Sequence, residues 1–440
     1  MTYLFLKRIV KWSFFFFFRQ KVVGGLENIP KNGPLIIAIN HPNTLIDPLL
    51  VGSQIKRRVG FLANASIFIN GAVRAFFNYF WVIPVYRKKD VKEGEVQDNE
   101  SNFRKCYDFF DREGALLIFP EGTSVNELKL RDIKTGTARI ALAYEALNDF
   151  KGDLRIVTVA ISYSDSLQFR SMVSMIINPS FEVKDYRSEW EQDENLAVRS
   201  LTARIKKDLE GQITLTDDKE QEKVVINAQQ FYLAYIDPDA SRFYNVQASF
   251  DYRRKIAHSI RAIQLRDENF YLELRMKLED YFTSLASLKL TIGFFKDSFL
   301  SKRSPFLILS YVSQLILLFP FYIFGLIFNF IPYRIPLLLF KAIKPDIEYR
   351  ATIMLMAGMI VFPLYYALSI ILFRNYFTSE LIWTLLLLIL MPILGYIVLF
   401  FWKIWKRFLR VLHFYGGVNT DKKEEMIAMR DELIEEIKKL

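Results

Sequence analysis

Short runs of apolar residues, each closed by proline or polar residues, recur along the first part of the chain. Three of these runs are residues 35–39 (LIIAI), 81–87 (WVIPVYR) and 115–119 (ALLIF). Runs of this length that are rich in β-branched residues are typical of buried strands. The interval 101–111 has the character of a helix instead. The pattern therefore predicts an α/β domain in this region.

The pattern changes near Pro305. Residues 305–331, 351–373 and 381–402 carry no charged side chain. Each stretch is long enough for a helix that crosses a bilayer, which needs about 20 residues. A buried helix of a soluble protein rarely runs so far without a charge. We predict membrane spans here, and therefore an integral membrane protein.

The basic residues beside these stretches do not suit three simple crossings. Such crossings would put the clusters after the first and third spans on the side opposite Lys302 and Arg303, against the tendency of basic residues to stay in the cytosol. The conflict disappears if residues 305–343, broken at Pro320 and at 332–336, enter and leave on one side as a hairpin. The basic clusters, the catalytic part and both ends of the membrane region would then face the cytosol.

The N-terminal arm, residues 1–24, places Trp12 and the run 14–18 (FFFFF) among basic residues. Its longest uncharged run has seven residues, far fewer than the roughly 20 that a span needs. A helix that lies in the membrane interface is predicted. A signal peptide fits less well, because no small-residue cleavage pattern follows.

Composition narrows the class of protein. With 440 residues, 52% of them hydrophobic, the chain is long enough for an α/β domain and a membrane region. The net charge of +10 suits anionic lipid headgroups and phosphorylated substrates. No nucleic-acid-binding motif accompanies it, so nucleic acid is not a predicted partner. The single cysteine, Cys106, excludes an intramolecular disulfide and fits a catalytic part that faces the cytosol.

Candidate chemistry follows the first predicted strand. Asn40, His41 and Pro42 come directly after residues 35–39, and five residues separate His41 from Asp47. An imidazole can take a proton from an alcohol while a nearby carboxylate fixes its tautomer. A lone histidine beside a proline is more often a loop residue, so His41 needs support from elsewhere in the chain.

Two further runs supply that support. Residues 115–119 lead into Pro-Glu-Gly-Thr-Ser at 120–124, and the run 81–87 ends in Arg87. The remaining histidines are predicted to be solvated or structural. No metal site is predicted, because no second histidine or cysteine stands at ligand spacing from His41.

In this order, the Asn-His-Pro…Asp block, the Ile-Pro-Val-Tyr-Arg block and the Phe-Pro-Glu-Gly-Thr-Ser block resemble the glycerol-phosphate and lysophosphatidate acyltransferase superfamily, over about residues 25–186. The resemblance implies a mixed sheet with flanking helices. It implies that His41 is the general base on the acceptor hydroxyl and that Asp47 orients it. It also implies substrate binding, chiefly of the acceptor's phosphate and glycerol, by Arg87, Glu121, Gly122, Thr123, Ser124 and Lys134.

Three departures accompany the resemblance. The superfamily usually has four residues between its histidine and aspartate, whereas this chain has five and an Asp47-Pro48 pair. That spacing is more like the glycerol-3-phosphate and dihydroxyacetone-phosphate acyltransferase branch. In a helical stretch, the extra residue would turn Asp47 by about 100°. Asn64 stands where a lysine is frequent, and Thr158, within the apolar run 156–161, stands where a proline is usual.

We therefore predict a membrane-bound O-acyltransferase of phospholipid synthesis. His41 would deprotonate a hydroxyl of glycerol 3-phosphate, whose oxygen attacks an acyl thioester of coenzyme A or acyl carrier protein. No further cofactor is expected. We expect the basic residues Lys56, Arg57, Arg58, Lys88 and Lys89 to lie near the proposed site, where they would favour phosphorylated substrates. The alternatives are lysophosphatidate as acceptor, a lipid hydrolase, and a non-catalytic membrane tether.

The sequence predicts five divisions of the chain. They are an interfacial membrane arm (1–24), an acyltransferase core (25–186), a charged helical extension (187–300), a transmembrane region (301–415) and an amphipathic tail helix (416–440).

Overall fold

The computed structural model describes residues 2–68, 70–85, 99–239, 246–300 and 304–439. The chain forms two compact units: the first comprises Met1–Asp217 and Ile347–Thr352, and the second comprises Asp218–Asp346 and Ile353–Leu440. The predicted site residue Arg87 lies outside the described residues, as do Lys88 and Lys89.

The first unit is built on a mixed sheet, which has eight strands within the described residues. The strands are β1 (Gln20–Gly24), β2 (Leu35–Ile39), β3 (Val59–Asn64), β4 (Val82–Val85), β5 (Ala115–Ile118), β6 (Arg155–Tyr163), β7 (Met172–Ile177) and β8 (Phe181–Glu182). Their spatial order is β1-β7-β6-β2-β5-β3-β4, and β8 also pairs with β6. β2 is parallel to β5 and β6, whereas β7 and β8 are antiparallel to β6. The carboxyl ends of β2, β5 and β6 therefore share one edge of the sheet.

The predicted strands form where the sequence is continuously apolar. Every residue of β2 and β5 is buried, as expected for parallel strands that are covered on both faces. The third run becomes β4, and the helical interval 101–111 falls within a helix at Asn99–Phe110, apart from its last residue. The predicted α/β fold, a mixed sheet with flanking helices, is confirmed.

The helices of the first unit are α1 (Thr2–Phe17), α2 (Ile46–Gln54), α3 (Gly71–Tyr79), α4 (Asn99–Phe110), α5 (Gly136–Leu147), α6 (Arg187–Gln192) and α7 (Glu194–Glu210). Leu201 of α7 shares a buried core with Ile140 of α5 and Leu116 of β5. The predicted core ended at residue 186. The structure instead extends the α/β unit to Asp217, because the apolar face of α7 covers the sheet.

The predicted arm, residues 1–24, contains α1 and also β1, which the structure pairs with β7 inside the sheet. The arm is therefore shorter than predicted. Phe14 is buried, whereas Phe5, Trp12 and Phe15 are 63%, 65% and 67% exposed. An exposed aromatic face of this kind suits the interface of a membrane.

The remaining helices are α8 (Lys219–Phe231), α9 (Val246–Arg266), α10 (Glu268–Ser287), α11 (Asp297–Leu300), α12 (Ser304–Ile343), α13 (Arg350–Tyr376), α14 (Leu381–Gly416) and α15 (Thr420–Ile437). The tail helix α15 is not a separate element. Its Met426 and Leu433 are buried in one core with Leu274 and Leu278 of α10. The tail therefore belongs to the same unit as residues 218–300 of the predicted helical extension.

Three helices among the described residues are long and apolar enough to cross a membrane: Pro305–Ile343, Ile347–Tyr376 and Leu381–Gly416. However, α12 runs without interruption through Pro320, Pro332 and Pro336. The predicted hairpin within residues 305–343 is therefore wrong. Each proline removes one backbone hydrogen bond and favours a kink, and an apolar helix in a membrane tolerates this. Without this hairpin, the structure does not support the placement of all basic clusters on one side of the membrane.

Candidate active site

The site lies at the carboxyl edge of the sheet, where parallel α/β strands usually carry their functional residues. β2 leads into Asn40 and His41, and its neighbour β5 leads towards Glu121. Asn40 fastens the end of β2 to β6: its Nδ2 donates to the Ile161 carbonyl at 2.9 Å, and its Oδ1 accepts from the Ile161 N–H at 2.7 Å. His41 is thereby held at a fixed position beside two strand ends.

His41 and Asp47 are in direct contact. The distance between His41 Nδ1 and Asp47 Oδ2 is 2.9 Å, and the Asn43 N–H donates to the same oxygen at 2.7 Å. The α-helix that contains Asp47 begins only at Ile46. The turn before it is not part of that helix, so the five-residue spacing does not rotate the carboxylate away from the imidazole.

Asp47 receives a third hydrogen bond that the sequence did not predict. Tyr163, the last residue of β6, donates its hydroxyl to Asp47 Oδ1 at 2.7 Å. Burial raises the pKa of Asp47, and the hydrogen bonds from His41, Tyr163 and Asn43 oppose that rise. Burial and the neighbouring Asp47 hold the pKa of Tyr163 well above its ordinary value, so the phenol remains a donor. The sequence signal for this residue is its position, because a tyrosine at the carboxyl end of a strand parallel to β2 lies at the same edge as His41.

These contacts determine the tautomer of His41. A carboxylate can only accept hydrogen bonds, so His41 Nδ1 carries a proton and donates a hydrogen bond to Asp47. Nε2 then holds the lone pair, and no described residue contacts it through a hydrogen bond. The imidazole stacks on the Phe119 ring with centroids 3.6 Å apart, and 14% of the His41 side chain is exposed. Nε2 is therefore the ring atom available to exchange a proton with a bound molecule.

Glu121 contacts the protein backbone through both carboxylate oxygens. Oε1 accepts from the His41 N–H at 2.8 Å, and Oε2 accepts from the Arg131 N–H at 3.0 Å. Burial raises the pKa of Glu121, and these two hydrogen bonds oppose the rise. In the structure, the partners of Glu121 are therefore backbone N–H groups, whereas the sequence predicts a contact with the acceptor substrate. The carboxylate ties the His41 loop to the segment before α5.

The remaining predicted substrate contacts lie along the loop after β5. Gly122 has φ = 70°, and its N–H donates to the Phe119 carbonyl at 3.0 Å, which forms a tight turn that suits glycine. Thr123 is half-buried, the Ser124 hydroxyl is buried with no partner in the described structure, and the Lys134 side chain is exposed. The structure brings this loop beside His41, because the Val125 N–H donates to the His41 carbonyl at 3.2 Å.

The wall of the site is completed by two further segments of the first unit. Asn43 Nδ2 donates to the Ser166 carbonyl at 2.5 Å, and Ser166 Oγ donates to Asn126 Oδ1 at 2.5 Å. The Thr44 and Thr352 hydroxyls are 2.9 Å apart. The loop that carries His41 is thus anchored by residues distant in sequence, and Thr352 lies in the first turn of α13.

Two arginines predicted to attract phosphate lie elsewhere. Arg57 donates to the carbonyls of Pro30, Gly33 and Glu113, which precede β2 and β5. Arg58 donates to the carbonyl at the end of α3. The loop after α2 therefore lies at the amino edge of the sheet, opposite His41. The prediction that these arginines lie near the site is wrong, because α2 carries the chain across to the other edge.

Neither a metal centre nor a thiol nucleophile accompanies His41 within the described residues. Among them, no cluster of three histidine, cysteine or acidic side chains has the arrangement of a metal site. Burial raises the pKa of the Cys106 thiol to about 12, so this side chain is an inert part of the core.

The sequence of this unit also matches a known family. Residues 21–162 match the Acyltransferase family. The matched segment begins in β1 and ends within β6, so it includes the strands whose ends carry His41 and Glu121. We refer to residues 21–162 as the acyltransferase segment.

Two known proteins are similar to this chain. An uncharacterized acyltransferase of Schizosaccharomyces pombe is 35% identical over 89 residues, which are 18% of this chain and 13% of the yeast protein. The crystal structure of the 1-acyl-sn-glycerophosphate (LPA) acyltransferase PlsC from Thermotoga maritima is 19% identical, with a TM-score of 0.34, and covers 47% of this chain and 77% of that one. This chain therefore matches only a small part of the yeast protein's length.

The hydroxyl of Tyr163 offers a specific test of the contacts around Asp47. We expect Tyr163→Phe to lower kcat of the acyl transfer that the sequence predicts about tenfold, the effect of losing one hydrogen bond to a charged group, and to leave both KM values nearly unchanged. The matched control is Tyr144→Phe, which removes a hydroxyl that donates to Asp111 at 3.0 Å, away from His41. Steady-state kinetics with a thioester donor measures both variants. Equal losses in the two would contradict a positioning role for Tyr163.

Proposed function

We propose that this chain is an O-acyltransferase that moves a fatty acyl group from a thioester to a hydroxyl of a phosphorylated glycerol. The observation that carries the proposal is the contact between His41 and Asp47, 2.9 Å long, at the carboxyl edge of the sheet. The match of residues 21–162 to the Acyltransferase family supports the same reaction class. Coenzyme A and acyl carrier protein are the proposed carriers of the acyl group.

His41 Nε2 acts as the general base in the proposed reaction. It takes the proton of the acceptor hydroxyl as the oxygen attacks the thioester carbonyl, and Asp47 stabilises the imidazolium that forms. The tetrahedral intermediate then collapses, the C–S bond breaks, and the imidazolium returns its proton to the leaving thiolate. Asp47 already accepts hydrogen bonds from Tyr163 and Asn43, so it does not need to move during this cycle.

Direct transfer without a covalent acyl-enzyme fits the residues around His41. The described contacts of the His41 side chain are Asp47 and Phe119, and neither supplies a hydroxyl or thiol nucleophile. The nearby Ser124 hydroxyl is buried without a hydrogen-bond partner. We propose that it contacts a substrate oxygen, together with the exposed Lys134 at the end of the same loop. Arg87 remains a proposed phosphate ligand.

Glycerol 3-phosphate is the proposed acceptor, and lysophosphatidate is the second candidate. The five-residue spacing between His41 and Asp47, with Pro48 after it, resembles the glycerol-3-phosphate acyltransferase branch and therefore favours the small acceptor. Lys134 does not distinguish the two acceptors, because both carry a phosphate group. The two acceptors differ in the acyl chain that lysophosphatidate carries on its glycerol, so only contacts with that part of the acceptor can distinguish them.

A competition assay separates these acceptors. Purified full-length protein in detergent receives a long-chain acyl thioester with equal concentrations of glycerol 3-phosphate and lysophosphatidate. We expect lysophosphatidate to accumulate first, at the expense of glycerol 3-phosphate, in products followed by mass spectrometry. Prompt phosphatidate with glycerol 3-phosphate untouched would assign the chain to the second acylation step. Free fatty acid released without any acceptor would make it a hydrolase.

The proposed location is a membrane, with the acyltransferase segment on the cytosolic face. Three apolar helices of the described chain are long enough to cross. The exposed aromatic residues of α1, such as Trp12, supply an interfacial contact for the first unit. A membrane location would place the enzyme where an acylated product dissolves.

A further inference from the structure

A cavity of about 360 Å³ lies in the second unit, and its lining is strongly basic. Four cations contribute to it: Lys296 from the turn before α11, and Lys403, Arg407 and Arg410 from α14. A volume of this size falls within the range of small-molecule sites. None of these four residues belongs to the acyltransferase segment.

The cations converge because of their spacing along α14. Lys403, Arg407 and Arg410 are separated by four and three residues, so they share one face of the helix. No carboxylate of the described chain forms an ion pair with Lys296, Lys403, Arg407 or Arg410. Burial lowers the pKa of Lys296, and the charge of Arg407 lowers it further. Four like charges around one cavity repel each other, and a bound anion would relieve that repulsion.

The same cavity has an apolar side. Phe294 and Phe299 line it, and their rings are 4.8 Å apart. Both rings also pack on Phe414 of α14, at centroid distances of 5.6 Å. Gly293 leaves open space, because a Cβ at this position would meet no atom within 4 Å. The cavity therefore offers cations and an apolar wall together.

The position along α14 connects the cavity to a membrane surface. Residues 381–402 carry no charge, and Lys403 is the first charged residue after them. If residues 381–402 cross the bilayer, Lys403 emerges at the level of the phospholipid headgroups. Basic pockets beside membrane helices at this level bind phosphorylated headgroups. The exposed Trp402 and Trp405 beside Lys403 suit the same interface.

We propose that this cavity binds the phosphate group of an anionic membrane phospholipid. Arg407 and Arg410 supply planar guanidinium donors to the phosphate oxygens, and Lys403 and Lys296 add point charges. Phe294 and Phe299 contact the glycerol and the first acyl carbons. A soluble phosphate compound offers the same phosphate chemistry without an acyl chain, and its lack of apolar contact distinguishes it from a lipid.

The test measures lipid binding by the purified full-length protein in neutral detergent. Phosphatidate or phosphatidylcholine is titrated as mixed micelles, and inorganic phosphate is added in a separate arm, with thermal unfolding as the readout. We expect phosphatidate to raise Tm of the wild type in a saturable way, with little effect from phosphatidylcholine or inorganic phosphate. Arg407→Gln should weaken the apparent affinity for phosphatidate about tenfold, as expected for one charge-assisted hydrogen bond.

Two further variants make the result specific to the cavity. Lys406→Gln removes a neighbouring charge of the same helix that does not line the cavity, and it should retain the affinity of the wild type. Gly293→Leu fills the open space but keeps every cation, and it should weaken phosphatidate binding while protein without lipid keeps its Tm. Equal losses in Lys406→Gln and Arg407→Gln would overturn the proposal in favour of diffuse attraction. Saturable binding of inorganic phosphate without a lipid effect would assign the cavity to soluble phosphates and overturn the lipid assignment.

Discussion

Acyl transfer is expected to fall below about one hundredth of the wild-type rate in His41→Ala, the loss typical of removing a general base. The reason is that Nε2 of His41 is the ring atom left for proton exchange once Nδ1 is engaged by Asp47 at 2.9 Å. The fold should persist, because the backbone N–H of His41 still donates to Glu121. Product formation from a radiolabelled thioester measures the rate, and gel filtration in detergent checks the fold.

His258→Ala is the matched control for this prediction. His258 lies on the exposed face of α9, and the same substitution there should leave the rate unchanged. Activity in folded His41→Ala above about one hundredth of the wild type would end the proposed general-base role. It would favour positioning of the two substrates as the main source of catalysis.

Glu121→Ala is expected to lower the free energy of unfolding of the first unit by about 2–6 kcal/mol, because two backbone N–H groups lose their acceptor and each orphaned donor costs about 1–3 kcal/mol. The two donors are His41 and Arg131, on loops that the Glu121 carboxylate joins. Tm should fall by roughly 4–24 °C, since a unit of this size loses about 2–4 °C per kcal/mol. Activity should fall as well, since the loop that carries His41 loses its anchor. Thermal unfolding in detergent, followed by far-UV circular dichroism, measures the effect.

The matched control and the milder variant separate this role from acceptor binding. Glu127→Ala, on the same loop, removes an ion pair with Arg131 that is partly exposed, and it should change stability by less than about 1 kcal/mol. Glu121→Gln keeps one acceptor oxygen and should lie between the wild type and Glu121→Ala. An unchanged Tm in both Glu121 variants, with a raised acceptor KM, would restore Glu121 as a substrate ligand.

The elements of the candidate site were visible in the sequence because each depends on local chemistry. The run at 35–39 forms β2. A continuously apolar segment of that length is buried on both faces when it forms a central strand of a sheet. The Asn-His-Pro break and the Pro-Glu-Gly turn end neighbouring strands, so their side chains meet at one edge. Parallel pairing of β2 with β5 turns two distant motifs into one site.

The hydrogen-bond partners of the site residues could not be predicted from the sequence. Tyr163 donates to Asp47 across 116 positions of sequence, and its position at the end of a strand does not indicate which residue it contacts. The parallel pairing of β2 with β6 brings the end of β6, and with it Tyr163, next to Asp47. The family resemblance predicts Glu121 as a substrate ligand, whereas in the structure both its carboxylate oxygens accept hydrogen bonds from backbone N–H groups.

In the membrane region, the sequence predicted the helices but also predicted a break that the structure does not have. Its spans were evident from the absence of charge, but the break predicted at Pro320 does not occur. A proline costs one hydrogen bond and favours a kink, and it forces a turn only where other contacts hold one. Charge bias alone could not supply those contacts.

The sequence by itself determined the strands β2, β4 and β5, the apolar helices and the chemical groups at the edge of the sheet, since hydrophobic run length and residue type are properties of neighbouring positions. The tertiary structure alone decided which groups touch. It placed Tyr163 on Asp47, Glu121 on two backbone amides, and Arg57 at the opposite edge. The physical reason is that hydrogen bonds depend on distances of about 3 Å, and only strand order and helix direction fix such distances between residues far apart in the chain.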